Sequence, residues 1–273
     1  MVKLKKKYSP QLYWFVIVSF ITFCSPHYLS AQFCLQPPEG IVSWWDGDAV
    51  SESIAFDIEA GNDGFLKDGV FITPGLVGDA FSFDGIDGWV KIPASANLNI
   101  IGDLTIDFWA MRNSFGDNQQ LMYKGLEGSD GIGVPTTLTM SFDLNNYLIA
   151  GFERSDGSGV YLKGFPVTDS EFHHYAYVRE GDSHALYFDG EVIAAEPFSG
   201  FPGDTLAVHL VIGARRKETG VSFDFFDGII DEIQICNRAI SDQKISDIYL
   251  VNSEGQCKGA TFSGFNRRNG SEE

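Results

Sequence analysis

Asp-Gly pairs bracket short runs of alternating apolar residues along most of this chain, and that pattern restricts it to strands folded back on one another. Gly78-Asp-Ala-Phe-Ser-Phe-Asp-Gly-Ile-Asp-Gly-Trp-Val-Lys-Ile-Pro93 is the fullest example, and Leu186-Tyr-Phe-Asp-Gly-Glu-Val-Ile193 repeats its grammar. Each reads as a β-hairpin, because Asp-Gly supplies the positive φ angles of a tight reversal. Further Asp-Gly pairs start at Asp46, Asp63, Asp68, Asp130, Asp156 and Asp227. Strand-like runs fall at residues 41–45, 80–83, 89–92, 104–111, 120–124, 136–142, 147–152, 160–162, 173–179, 185–188, 191–195, 207–212 and 226–236, most of them separated by Gly, Asp, Asn, Ser or Pro clusters. One segment, residues 241–250, reads as helix, with Ser241 as N-cap and Ile245, Ile248 and Tyr249 at helical spacing. The expected fold is all-β, a two-sheet antiparallel sandwich with one short C-terminal helix packed on it. Along residues 104–109, alternation places Leu104, Ile106 and Phe108 on one face and Thr105, Asp107 and Trp109 on the other. An aromatic on each face argues for a second, partly covered surface.

The chain begins with Lys3, Lys5, Lys6 and Lys7, continues with an apolar stretch from Leu12 to Cys24, and offers Ser30 and Ala31 as a cleavage site. This is the pattern of an export signal over residues 1–31, shorter than the ~20 apolar residues of a spanning helix. Removing it leaves roughly 240 residues, within the size of one large sandwich domain. The expected domain covers residues 32–257, and the polar, aperiodic residues 258–273 read as a disordered tail. No membrane insertion is expected after cleavage, and the expected location is secreted, periplasmic or at the cell surface.

Lys and Arg number 19 against 37 Asp and Glu, a net charge of −18. Nucleic acid is an unsuitable partner for so acidic a chain, since phosphate binding needs a basic surface. Acidity here serves solubility or carboxylates gathered around divalent cations. Of the four cysteines, Cys24 falls in the signal. An exported chain favours a disulfide, and joining Cys34 to Cys257 would tie the two ends of the domain together. Cys236 lies in the apolar run Ile229-Ile-Asp-Glu-Ile-Gln-Ile-Cys236, where a small buried thiol is expected.

Six blocks occur in order: Cys34-Leu-Gln-Pro-Pro-Glu-Gly-Ile-Val-Ser-Trp-Trp-Asp-Gly-Asp48, Gly78-Asp-Ala-Phe-Ser-Phe-Asp-Gly85, Leu104-Thr-Ile-Asp-Phe-Trp109, Phe172-His-His-Tyr-Ala-Tyr-Val178, Leu186-Tyr-Phe-Asp-Gly190 and Gly228-Ile-Ile-Asp-Glu-Ile-Gln-Ile-Cys-Asn-Arg-Ala-Ile-Ser241. Together they resemble the laminin-G-like jelly-roll domains of the concanavalin A-like lectin/glucanase superfamily, over residues 34–257. Phe172 stands where that family usually has Trp, and Cys236 where an aromatic is usual; both keep the position apolar. The resemblance implies two curved antiparallel sheets, a terminal disulfide that again pairs Cys34 with Cys257, and roles in carbohydrate binding or adhesion. It also implies a structural calcium ion, mapped here to Asp231 with Asp48 or Asp57 and to the loop around Asp84 and Gly85. The same aspartates equally suit turns and strand ends.

His173 and His174 are adjacent, so on a strand they point to opposite faces and do not chelate one metal. Glycoside hydrolysis, known on this fold, needs two carboxylates about 5 to 10 Å apart. The relatives that perform it carry them as a Glu-x-Asp-x-x-Glu-like cluster on one strand, which this chain lacks; Asp231 and Glu232 are neighbours expected to face opposite ways. No nucleophile elbow and no zinc-protease pattern occurs either. The expected function is therefore a non-catalytic binding module for a glycan, with Phe115, Tyr123, Tyr147 and Tyr161 as candidate ligand-contacting aromatics. Alternatives are a protein-binding adhesion or structural module and a hydrolase of the same fold.

Overall fold

The computed structural model describes residues 34–126, 134–217, 219–220 and 222–258. The expected export signal, the Asp130-Gly131 pair and the tail beyond Lys258 lie outside the described residues. The strands, in chain order, are β1 (Ile41–Trp45), β2 (Val50–Ser51), β3 (Ile54–Ala55), β4 (Gly64–Lys67), β5 (Val70–Pro74), β6 (Asp79–Asp84) and β7 (Trp89–Ile92). There follow β8 (Leu104–Arg112), β9 (Gln119–Leu126), β10 (Val134–Phe142), β11 (Tyr147–Glu153), β12 (Gly159–Pro166), β13 (His173–Glu180), β14 (Ser183–Phe188) and β15 (Glu191–Pro197). The last are β16 (Leu210–Ile212), β17 (Arg215–Arg216), β18 (Ser222–Phe223) and β19 (Asp227–Cys236), before helix α1 (Asp242–Val251).

Two large antiparallel sheets result. The first runs β15-β14-β13-β8-β19-β6-β5, with β1 also paired to β19; the second runs β12-β11-β10-β9-β16-β7-β4-β3-β2. Alternation sorts their side chains as the sequence requires. Leu104, Ile106 and Phe108 of β8 meet Leu138, Met140 and Phe142 of β10 in the core between the sheets, where a buried large apolar side chain contributes about 1.5–3 kcal/mol. Phe108 stacks on Tyr175 at 5.7 Å, and Phe142 meets the same ring edge-on at 5.9 Å.

The opposite face of the first sheet is closed by α1. Ala176, Val178, Tyr187 and Cys236 pack there against Ile240, Ile245 and Ile248, and Trp109 stacks on Tyr249 at 5.8 Å. Ser241 caps the helix by accepting from the Lys244 amide. Cys236 is buried and unpaired, and burial pushes its thiol well above the ordinary range. Among the described residues no helix is long and apolar enough to cross a membrane.

Only one of the two expected hairpins forms. β14 and β15 pair directly, Phe188 opposite Glu191, around Asp189 (φ 49°) and Gly190 (φ 79°), a two-residue reversal with positive φ at both positions. β6 and β7 instead belong to different sheets. The Asp84 carboxylate accepts the amides of Ile86, Asp87 and Gly88, shaping a loop that carries the chain across the sandwich. β6 finds its hairpin partner upstream, with Pro74 opposite Asp79.

Cys34 and Cys257 are disulfide-bonded across 223 residues of sequence. The Cys257 amide also donates to the Leu35 carbonyl at 2.8 Å. Closing so long a loop stabilises by up to about 5 kcal/mol through the unfolded chain. Replacing both cysteines by serine is expected to lower the stability by roughly 2–5 kcal/mol, read as a shift of the urea midpoint; an unchanged midpoint would contradict that contribution.

Candidate ligand-binding groove

Because Leu138, Met140, Phe142, Leu148, Ala150 and Leu162 turn into the core, the residues between them face outward from the second sheet. A cleft of about 380 Å³ lies on this outer surface, and Gln120, Tyr123, Thr139, Ser141, Tyr161 and Arg215 are among its lining residues. Glycines set the floor. Tyr161 stands opposite Gly151 on β11 and two residues after Gly159 on its own strand. A Cβ at Gly159 would meet the Tyr161 ring at 2.1 Å, and one at Gly151 would meet the β12 backbone at 2.0 Å. The ring therefore lies against the sheet where no neighbouring side chain could stand.

Hydrogen bonds fix the two tyrosines. The Tyr161 hydroxyl donates to Glu153 Oε1 at 3.0 Å, and Glu153 Oε2 accepts the Thr136 amide at 2.9 Å. Thr136 Oγ1 in turn donates to the Tyr123 hydroxyl at 3.1 Å, while the Arg215 guanidinium sits 5.3 Å from the Tyr123 ring centre. Burial pushes both phenols above the ordinary tyrosine value, Tyr161 further because Glu153 adds to it. Both stay protonated at neutral pH. Gln120 Nε2 shares its two protons among Met122 O, Thr139 Oγ1 and Met140 O. The groove thus presents one exposed, immobilised aromatic face, that of Tyr161, over a bed in which Tyr123 and Gln120 are buried and hydrogen-bonded. At its rim Asp143 holds the Lys163 ammonium at 2.8 Å. Burial raises the pKa of the Asp143 carboxyl, but this bond together with those from the Tyr147 and Asn145 amides outweighs it and keeps the group below the usual range.

Of the four aromatics expected to contact ligand, the structure brings Tyr123 and Tyr161 together in the groove. The others are engaged elsewhere. Phe115 covers the Arg112 guanidinium at 4.9 Å, and Tyr147 covers the Lys163 ammonium at 4.1 Å. Gln120, Thr139, Ser141 and Arg215 were not among the sequence candidates; the polar phase of residues 136–142 marks Thr139 and Ser141, but nothing local marks Arg215. A larger cleft of about 750 Å³ lies between residues 37–39 and the start of α1. Its side chains are mutually engaged: Arg238 pairs with Glu39 at 3.1 Å, and the Tyr187 hydroxyl donates to Asp242 at 2.7 Å.

The five positions mapped for calcium do not converge on one point. Asp84 and Gly85 lie at one end of β6, whereas Asp48 accepts the Asp79 amide at the other, a separation of about 17 Å along a strand. Asp57 is buried and accepts the amides of Trp44, Glu59 and Asn62. Asp231 accepts the amides of Leu76 and Val77. The expectation that Asp231 and Glu232 face opposite ways also fails. β19 bulges there, with Glu232 at φ 52°, where its pairing passes from β6 to β1. Burial pushes Asp231 up to about 7 and Glu232 up to about 8. Among the described residues no group of three or more His, Cys, Asp or Glu side chains is set to hold a metal ion.

A laminin-G-type family model of the concanavalin A-like lectin/glucanases superfamily matches residues 84–246. The chain belongs to that superfamily. No curated protein matches it. Among solved structures it is similar to the binding domain of Paraclostridial Mosquitocidal Protein 1, at 13% identity and a TM-score of 0.61, over 77% of this chain and 52% of that one. It is similar to Trypanosoma rangeli sialidase at 17% identity and a TM-score of 0.62, over 79% of this chain and 33% of that one. Domain 4 of AbnA, an extracellular arabinanase from Geobacillus stearothermophilus solved with arabinotriose, matches at 13% identity and a TM-score of 0.57, over 76% of this chain and 97% of that one. The chain thus spans about half of that binding domain's chain and a third of the sialidase, and these likenesses define the fold.

The paired histidines separate as the pleat requires. His174 is fully buried beside Trp109, and His173 bridges Asp189 and Asp169, each at 2.8 Å. Burial opposes charge on His173, but the bonds to both carboxylates outweigh it and hold its pKa above the ordinary histidine value. A raised folded-state pKa contributes stability that is complete below the unfolded value of about 6.5 and fades as pH rises through the folded one. The destabilisation caused by His173→Gln is therefore expected to be larger at about pH 5.5 than at about pH 8.5 in urea unfolding; an equal or reversed difference would contradict the bridge.

Proposed function

We propose that this protein is an exported, non-catalytic carbohydrate-binding module that holds a neutral glycan in the groove across β9–β12. The observation that carries the reading is the hydrogen-bonded ring of Tyr161, 45% exposed beside the half-buried Ser141, on a buried polar bed that includes Tyr123, Gln120 and Thr139. A sugar presents an apolar face and a rim of hydroxyls, so it is matched by an aromatic plane beside fixed donors and acceptors. The cleft lies within the range of small-ligand sites. The arabinotriose complex of the AbnA domain supports a glycan as occupant for a domain of this shape.

The carboxylates support binding without catalysis. Glycoside cleavage uses one carboxyl kept protonated near its partner. Of the carboxylates lining the groove, Asp143 is instead held ionised by Lys163 and Asp224 is engaged by a neighbour, while Glu153 beside it is committed to Tyr161 and Thr136. The raised carboxyls Asp231 and Glu232 belong to the other sheet. A protein-binding adhesion role is the second reading, favoured by Phe71, 64% exposed on the edge strand β5.

Screening against neutral oligosaccharides, arabino-oligosaccharides included, tests the proposal. Tyr161→Ala is expected to weaken the binding found by about tenfold, since roughly 1.4 kcal/mol separates an aromatic platform from none, with little change in melting temperature. Binding that is indifferent to Tyr161→Ala, binding to protein surfaces alone, or release of reducing sugar would contradict it.

A further inference from the structure

Lys258, directly after the disulfide-bonded Cys257, extends its ammonium into a cluster of carboxylates at the bulge of β19. Its Nζ lies 2.7 Å from Asp48 Oδ2, 2.7 Å from Glu232 Oε1 and 3.2 Å from Asp46 Oδ2. Each of these carboxylates is tethered through its other oxygen. Asp46 Oδ1 accepts the Asp48 and Ala49 amides, Asp48 Oδ1 accepts the Asp79 amide, and Glu232 Oε2 accepts Trp44 Nε1 at 2.8 Å. Three anchored carboxylates therefore offer one oxygen each to a single point. Asp46 and Glu232 are nearly inaccessible, with side chains 5% exposed, and Asp231 Oδ1 is buried close by without a hydrogen-bond partner.

Carboxylate oxygens gathered in this way are what a hard divalent cation binds when nothing else fills the space; with the ammonium among them, these three are not set to hold a metal ion. Here the positive charge belongs to the chain itself. The disulfide and the Leu35–Gln256 bridge fix the backbone from which Lys258 departs, and its ammonium lies 6.0 Å from the centre of the Trp44 ring. Burial alone would lower its pKa, but Glu232, Asp46 and Asp48 outweigh burial and hold it above the ordinary lysine value. We propose that Lys258 is a built-in cation: it fills the cradle of Asp46, Asp48 and Glu232 that would otherwise take a divalent ion, and so makes the stability of this domain independent of calcium.

This inference does not rest on the groove, and thermal melting reads it directly. Wild-type protein is expected to melt within about 1 °C of the same temperature in millimolar calcium and in excess chelator, because the ammonium and not the ion fills the cradle. Lys258→Met leaves three carboxylates around an empty centre. In chelator it is expected to melt about 5–10 °C lower, to recover much of that loss in millimolar calcium, and to bind calcium with one-to-one stoichiometry in titration calorimetry. Lys258→Arg, which keeps the charge, is expected to stay insensitive to chelator. If Lys258→Met folds only in calcium and unfolds when chelator is added, the proposal is equally supported. A wild-type melting temperature that falls in chelator would overturn it. So would a Lys258→Met variant that melts like wild type in chelator, or one that calcium neither binds nor stabilises.

Discussion

The inner faces of two antiparallel sheets can be removed from water only against each other, and the rest of this domain follows from how that burial divides its strands. Each residue that turns inward, such as Phe108, Phe142 or Tyr175, fixes its neighbours outward. Each sheet therefore has a second face whose fate must be settled separately. On the first sheet α1 settles it, covering Trp109, Ala176 and Cys236 with Ile245, Ile248 and Tyr249. On the second sheet the face over β9–β12 keeps an open cleft, where Tyr161 stays exposed above buried polar residues such as Gln120 and Thr139.

Strand β19 links the two halves of this arrangement to the chain ends. It pairs with β8 along one edge and is shared on the other by β6 and then β1. At the handover the ladder cannot continue unbroken, and the bulge at Glu232 turns Asp231 and Glu232 toward loops instead of along the pleat. Asp231 holds the Leu76–Val77 loop by its amides, and Glu232 holds the Trp44 indole. Concentrating carboxylates there requires a compensating charge, which the disulfide-anchored C-terminal segment supplies through Lys258.

Much of the scaffold was legible in the sequence because its signals are local. Alternation in residues 104–111 and 136–142, the Ser241 cap, and the Asp189-Gly190 turn each depend on a few neighbouring residues. The strands of residues 50–74 left no comparable trace. They are short, several lie at or near sheet edges, and β5 exposes Phe71 and Ile72, so burial imposes little periodicity on them. The Asp84-Gly85 segment misled for a related reason: an Asp-Gly pair specifies a reversal of backbone but not which sheet receives the next strand. The candidate site was half legible. Tyr123 and Tyr161 were visible as aromatics near strand ends, but their union across the four strands β9–β12 is a matter of register, and the glycines beneath Tyr161 gain meaning only when Gly151 is placed opposite it. Lys258 looked like the first residue of a tail, and only long-range pairing shows it closing a charged cluster.

The claim on which the functional account rests is that the open outer face of the second sheet is where ligand binds. Amide and side-chain chemical-shift mapping during titration with a glycan that binds tests it most directly. The account predicts perturbations centred on Gln120, Tyr123, Thr139, Ser141 and Tyr161; perturbations centred instead on residues 37–39 and 238–244, around the larger cleft beside α1, would contradict it.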